Sequence, residues 1–407
     1  MLFFIGLLLR VVSIFVLKNY TSPRDYEYGE IARNIIIGKG FARATDHGGG
    51  VVQTSSHAPL YPYFLALFYK SGLSPKTFIM ILLIQAIFSA LTILVFYKIS
   101  LTIFNTLIAN LTAIGITFYP PFLYYTTKLV PTTLFLFLLS LTALLILMIK
   151  KDDIRSNIVP GIVFGITLLC DPITFVMYPA LLLWHFVKKE FTIKNFVVII
   201  LFSIMVLLPW TVRNYKIHNQ IVLVTTQFGV NFWIGNNQNA TGTDYYRVYS
   251  IDDENFVLMT QTITREVREK LDKMSEIERA KIFMNEGLKF IRNNPIKFSE
   301  LLVKKFYYYW WFTPQEINGS IDATRYRNSY IIFYLPVLIL GILGILMSLS
   351  YNYIKIASLI IFVIISISAI YIVTHVGLIR YRLPIEGFLL MFSAFSIVSF
   401  FTFKSQM

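Results

Sequence analysis

The chain has 407 residues, of which 56% are hydrophobic and 14% charged, with a mean hydropathy of +0.65; this leaves too little charge to clothe a soluble domain of such length. Its 36 basic and 22 acidic residues give a net charge of +14, but the basic residues gather in short loops between apolar runs and form no aromatic-interleaved stripe, which excludes a nucleic-acid groove. The single cysteine, Cys170, excludes an intramolecular disulfide framework and a cysteine-based zinc site.

In chain order, apolar runs occur at 2–17, 77–97, 101–118, 131–149, 158–170, 173–187, 196–210, 330–349, 356–373 and 383–403. A helix needs roughly 20 residues to cross the hydrocarbon core, so these read as about ten transmembrane helices. The first run has no basic n-region and no small-residue cleavage site before Lys18, and reads as a retained helix in which Arg10 either snorkels or, as the more ordinary case, lies close to the cytosolic end. With the N-terminus in the cytosol, Lys98, the cluster at 150–155, Lys188, Lys189, Lys194, Lys355 and Lys404 all fall on the cytosolic side. The expected fold is an all-α polytopic protein of the cell (plasma or inner) membrane. It divides into an N-terminal transmembrane module at 1–210 with a first outer loop at 18–76, an extracytoplasmic loop at 211–329, and C-terminal transmembrane helices at 330–407.

The two outer segments hold most of the polar residues, and chemistry is expected there. Within the first, 28–37 has helical spacing and stops at Gly38 and Gly40, while 59–69 is aromatic on several faces; both are expected to lie as helices in the interface plane. Asp25, Glu27 and Glu30 open this loop. Acids at a helix N-terminus stabilise it by about 0.3–1 kcal/mol without any further role. A carboxylate at a membrane surface is also what a transferase needs to take the proton from an acceptor hydroxyl or amine. Ser55-Ser56-His57-Ala58-Pro59-Leu60-Tyr61-Pro62 follows, and Lys128 stands near the outer end of a span, where a lone charge usually has a purpose.

The long loop opens with Pro209-Trp210-Thr211-Val212-Arg213-Asn214-Tyr215 and continues through an amide-rich and glycine-rich stretch from Gly229 to Gly242. Tight turns alone account for such glycines, and Asn239-Ala240-Thr241 is a glycosylation sequon. Ser275 and Glu278 form a capping box that opens a helix to about Arg292, before Pro295. A second helix ends in the aromatic run 307–311 beside Lys304 and Lys305, a composition suited to lipid headgroups. Arg380-Tyr381-Arg382-Leu383-Pro384 precedes the last span; the arginines can snorkel without function, yet their fork geometry suits phosphate, and Pro384 fits a first helical turn. His47, His185, His218 and His375 have no spacing of a metal site.

Together and in this order, the acidic first loop, the His57 to Pro62 segment, the Pro209 to Tyr215 segment, the 231–242 stretch and the Arg380 to Pro384 motif resemble the polyprenyl-phosphate-sugar-dependent glycosyltransferases. More closely, they are similar to the prokaryotic branch of the protein mannosyltransferase and aminoarabinose transferase superfamily, with its type C membrane fold. The resemblance implies sugar transfer from a polyprenyl-phosphate-linked donor to a glycolipid, polysaccharide or protein acceptor on the extracytoplasmic face of the lipid bilayer. It implies Asp25 as catalytic base or acceptor-orienting group, with Glu27 as the alternative because the Asp25 to Tyr28 spacing is one residue short. His57, Lys128, Arg380 and Arg382 are then expected at the donor phosphate. Tyr28, Tyr61, Arg213, Asn231, Asn236 and Tyr381 are expected at the substrates, Arg213 either contributing directly or only fixing its loop. Some relatives place an acid before the cationic position to help hold a metal; Ser56 stands there, so no cofactor and no divalent metal is counted on. Two rival readings are a lipid or sugar transporter or flippase, which needs polar groups at mid-depth, and a wall-polymer ligase using a lipid diphosphate.

Overall fold

The computed structural model describes residues 1–44, 50–150, 153–249, 254–258, 263, 267, 270–271, 274–313, 321–350, 353–374, 377 and 379–404; His47 and His375 lie outside the described residues. The apolar runs are helical, although 101–103 continue the preceding helix and 173–176 lie in a 3-10 turn, and local sequence explains most of the boundaries. Helix α1 (Leu2–Leu17) stops at Lys18 in a left-handed conformation. The first loop carries α2 (Tyr26–Ile36), an antiparallel ribbon of β1 (Ala42–Ala44) and β2 (Val51–Gln53), and α3 (Leu60–Tyr69). Helix α4 (Pro75–Ile103) begins with Ser74 accepting from the Thr77 amide and Pro75 in the first turn, where its missing N–H costs nothing. Helix α5 (Thr106–Phe118), capped by Asn105, breaks before Pro120 into the short α6 (Pro120–Thr126).

After α7 (Thr132–Leu147), helices α8 (Ile158–Cys170) and α9 (Met177–Val187) are separated by Asp171 and the 3-10 turn Pro172–Val176. Helix α10 (Ile193–His218) opens on a reciprocal Thr192–Asn195 box. The long loop holds α11 (Phe228–Gly235), a second ribbon of β3 (Tyr245–Tyr249) and β4 (Glu254–Leu258), α12 (Glu276–Asn293) and α13 (Pro295–Trp310). The Ser275–Glu278 capping box is present at the start of α12. Helices α14 (Ile321–Ser350), α15 (Ile354–Val373) and α16 (Leu383–Lys404) complete the chain. The fold is mostly helical, as expected, and the two short ribbons are additions in the outer loops, where segments outside the apolar helices pair their backbone groups.

Five helices among the described residues are long and apolar enough to cross a membrane, six if bent α5–α6 is one span; α1, α7 and the α8 and α9 segments are apolar but shorter. Along α10, Val197, Leu201, Ile204 and Leu208 are exposed on one face, a stripe that suits lipid. These helices make the chain a multi-pass membrane protein. Helix α4 packs against α1, α5 and α7, α8 against α10, and α16 against α14 and α5, while α15 joins α9 to α13. The expectation for Arg10 is overturned. It lies fully buried at the middle of α1, donating to Ser89 Oγ at 2.6 Å, Gly6 O at 3.0 Å, Ile116 O at 3.2 Å and Thr117 O at 3.4 Å. The break before Pro120 frees the last carbonyls of α5, and the five-donor guanidinium satisfies two of them.

Candidate functional site

A cavity of about 820 Å³ opens among the first loop, the α8–α9 break, α11, α12 and the segment before α16, a volume typical of small-ligand sites. Its polar lining includes Glu27, Tyr28, His57, Asp171, Asn231, Arg380 and Tyr381, and its apolar wall includes Phe135, Phe175, Val176 and Ile370. Five segments far apart in sequence therefore meet around one space.

The two acids of the first loop part company. Asp25 stands just before α2 without a side-chain capping bond; its carboxylate pairs with Arg33 at 2.5 Å and accepts from the Tyr69 hydroxyl at 2.8 Å. Its carboxylate folds over Gly29, where a methyl group would overlap it. Asp25 is not among the lining residues, whereas Glu27 is. Between them Tyr26 takes φ of +47°, a left-handed conformation that costs a non-glycine residue roughly 1–2 kcal/mol. That turn sends the two carboxylates to different surroundings. Tyr28 follows, its ring edge-on to His57 at 5.2 Å and to Tyr61 at 5.6 Å. Tyr61 does not reach the cavity; fully buried, it donates to Gln85 Oε1 at 2.7 Å and backs the Tyr28 ring.

Burial pushes the His57 imidazole down to about 4, the Arg43 and Arg380 charges acting in the same direction and Glu27 against them. This favours the neutral ring at physiological pH, which serves as a hydrogen-bonding group. Ser56 Oγ lies 2.9 Å from His57 Nδ1 and helps fix the ring. Arg380 is a cation of the cavity wall, on the 3-10 turn Ile379–Tyr381. The neighbouring Tyr381 raises its pKa above the ordinary range, with burial opposing; its guanidinium sits 5.2 Å from the Tyr381 ring centre and donates to the hydroxyl at 3.4 Å.

Sequence reasoning passed over Asp171. It caps the 3-10 turn, accepting from the Ile173 amide at 3.0 Å, and it lines the cavity. Burial pushes its carboxyl up to about 6, opposed by that amide and by Arg380. An acid directly between an apolar helix and Pro172 was the available signal, but it reads equally well as a cap. Glu276 stands in the first turn of α12, where the sequence signals only a helix start. Its carboxylate accepts from Thr54 Oγ1 at 3.0 Å, from the Ser55 amide at 3.1 Å and from the Thr226 hydroxyl. Helix α12, whose Ile277, Lys281 and Met284 line the cavity, is thus tied to the segment carrying His57.

The remaining expected residues lie off the cavity. Arg213 donates to Thr54 O at 2.6 Å, Phe41 O at 2.8 Å and Gln53 Oε1 at 2.8 Å, and stacks on Trp210 at 4.6 Å; it fixes the first loop against α10. Lys128 contacts Asn19 Oδ1 at 3.3 Å and the Tyr124 ring at 4.6 Å. Asn236 is buried against the end of α15. Arg382, expected at the donor phosphate, turns inward instead: it pairs with Glu386 at 2.8 Å, donates to Tyr309 O and Trp311 O at 2.7 and 2.8 Å, and stacks on Tyr334 at 3.8 Å. Two residues of 3-10 and helical geometry separate its direction from that of Arg380. Among the described residues no group of three His, Cys, Asp or Glu side chains is placed to hold a metal ion.

Residues 56–212 match the family described as dolichyl-phosphate-mannose-protein mannosyltransferase. A search among curated proteins finds no match. Among solved structures the chain is similar to the Archaeoglobus fulgidus oligosaccharyltransferase in complex with zinc and sulfate, with TM-score 0.56 and 14% identity over 99% of this chain and 49% of that one. The AglB oligosaccharyltransferase of the same organism, in complex with an inhibitory peptide and a dolichol-phosphate, gives TM-score 0.55 and 13% identity over 98% of this chain and 50% of that one. ArnT from Cupriavidus metallidurans bound to undecaprenyl phosphate gives TM-score 0.42 and 13% identity over 97% and 77% of the two chains. The chain spans about half the length of the archaeal enzyme and shares its fold over that part. The resemblance carried by the motifs is to this group of membrane glycosyltransferases.

Proposed function

We propose that this chain moves a sugar from a polyprenyl-phosphate donor to an acceptor on the extracytoplasmic face of the membrane. The observation that carries the reading is the convergence of Glu27, His57, Asp171 and Arg380 on one cavity whose other wall is apolar. Phe135, Phe175, Val176 and Ile370 suit the first units of an isoprenoid chain, and Arg380 suits the phosphate that joins it to the sugar.

In this mechanism Glu27 takes the proton of the acceptor hydroxyl or amine as the acceptor atom bonds to the anomeric carbon. The bond from that carbon to the phosphate oxygen breaks, and the lipid phosphate leaves with the electron pair. Arg380 neutralises the charge developing on it, and a ring N–H of neutral His57 donates to it. Asp171, whose carboxyl burial pushes up to about 6, lines the same cavity and is available to the sugar hydroxyls. Asp25 is assigned to holding α2, since Arg33 and Tyr69 already engage its carboxylate. The test is transfer by the purified chain from radiolabelled lipid-linked sugars, extracted from the source membranes, onto endogenous acceptors. Loss of transfer in Glu27→Gln supports the reading; full activity in that variant removes Glu27 from the chemistry.

A further inference from the structure

Lys305 is fully buried where α11, α13 and the end of α15 meet. Its Nζ donates to Thr374 O at 3.0 Å, to Val373 O at 3.3 Å and to Asn236 Oδ1 at 3.0 Å. Asn236 in turn donates to Val373 O at 3.0 Å and to Thr374 O at 3.5 Å. The last carbonyls of a helix have no partner within it, and two side chains of the long loop supply the donors. An ammonium at this position also meets the negative end of the helix dipole. No carboxylate pairs with it among the described residues, and burial lowers its pKa to about 7.

The seat is closely built. A methyl group at Gly235 would collide with the Thr374 carbonyl, so α11 can approach the helix end only with glycine there. Thr374 lines the cavity together with Ile370 and Tyr371. Four residues separate it from Ile379, where the 3-10 turn carrying Arg380 begins. The end of α15 also meets that turn directly, the Tyr371 ring lying 4.9 Å from the Tyr381 ring and the Tyr381 hydroxyl accepting from Arg380, so a displacement of the helix end reaches the guanidinium.

We propose that Lys305 is a positioning residue for the lipid phosphate: with Asn236 it caps α15 and thereby fixes where Arg380 enters the cavity. The proposal rests on the donor-phosphate reading of Arg380. Asn236, expected at a substrate from its motif, acts through the same cap.

The test titrates undecaprenyl phosphate, and undecaprenol as its uncharged control, into the purified full chain in detergent, following tryptophan fluorescence. Lys305→Met is expected to weaken binding of the phosphate lipid about tenfold, the usual consequence of losing a charge-assisted hydrogen bond. Undecaprenol binding stays unchanged, and Lys305→Met adds nothing in an Arg380→Gln background. Arg380→Gln alone separates the two claims. If it leaves phosphate-lipid binding intact, the donor-site reading falls; if it weakens binding while Lys305→Met does not, only the positioning role falls. Equal weakening for both lipids, or additive losses in the double variant, overturns the positioning role. If Lys305→Met is not recovered folded, Asn236→Leu carries the same expectation and the same overturning results.

Discussion

Arg380 and Arg382 belong to one motif, two residues apart, and they do different work. Arg380 faces the cavity beside Tyr381, while Arg382 spends its donors on Glu386, Tyr309 O and Trp311 O. Asp25 and Glu27 repeat the pattern at the other end of the chain: the first is engaged by Arg33 and Tyr69, the second lines the cavity. In each pair one member builds the wall and the other looks into the space. A charged motif at a membrane surface therefore identifies the site, but the partners each side chain has already satisfied decide which residue remains free to meet substrate.

The largest expected effect bears on the acids. Glu27→Gln should lower transfer about 10²–10⁴-fold, the usual contribution of a positioned base, while Asp25→Asn retains most of the rate once its folded fraction is equalised. Initial rates with labelled lipid-linked sugar check this, and a greater loss in Asp25→Asn would invert the comparison.

The arginines come next. Arg382→Met leaves Glu386 buried without its cation, and removing one partner of a buried ion pair typically costs about 3–5 kcal/mol. Its thermal unfolding in detergent should fall well below wild type, whereas Arg380→Gln should unfold near the wild-type temperature and lose affinity for the phosphate lipid. If both variants behave alike, the division between wall and site fails.

His57 sharpens the comparison through pH. Folding holds its imidazole neutral down to about 4 against an ordinary 6.5. Between those values the unfolded chain binds a proton that the folded one refuses, so stability falls as pH drops through this window. His57→Gln should flatten that part of the unfolding-temperature profile; an unchanged slope would mean that the ring is not held neutral by the cavity.

Much of the fold and site is legible in the sequence. Apolar length announces the helices, the Ser275–Glu278 box locates α12, and the first-loop and last-span motifs bring Glu27, Tyr28, His57, Arg380 and Tyr381 to one place. What escapes depends on tertiary partners. Lys304 and Lys305 read as a headgroup pair, yet Lys305 is fully buried under the end of α15. Arg10 reads as an end-of-span charge because nothing in α1 shows that α5 will present two open carbonyls beside it. Asp171 has a local use as a helix cap, which masks its place in the cavity. Pattern specifies faces and ends; it does not specify which neighbour will complete a hydrogen bond.

The smallest effect is the most discriminating for Asp25. Tyr69→Phe removes one hydroxyl that donates to Asp25 Oδ2 but leaves Arg33 on the same oxygen. Because the carboxylate keeps its charged partner and is not fully buried, the loss should stay near the usual net value of one hydrogen bond, about 0.5–1.5 kcal/mol. Transfer should hold within about twofold, since the hydroxyl acts on a residue that holds α2 and does not touch substrate. Paired measurements of unfolding temperature and initial rate decide the matter. A rate loss far beyond the stability loss would mean that the Asp25 carboxylate needs Tyr69 for chemistry, and Asp25 would then replace Glu27 as the base.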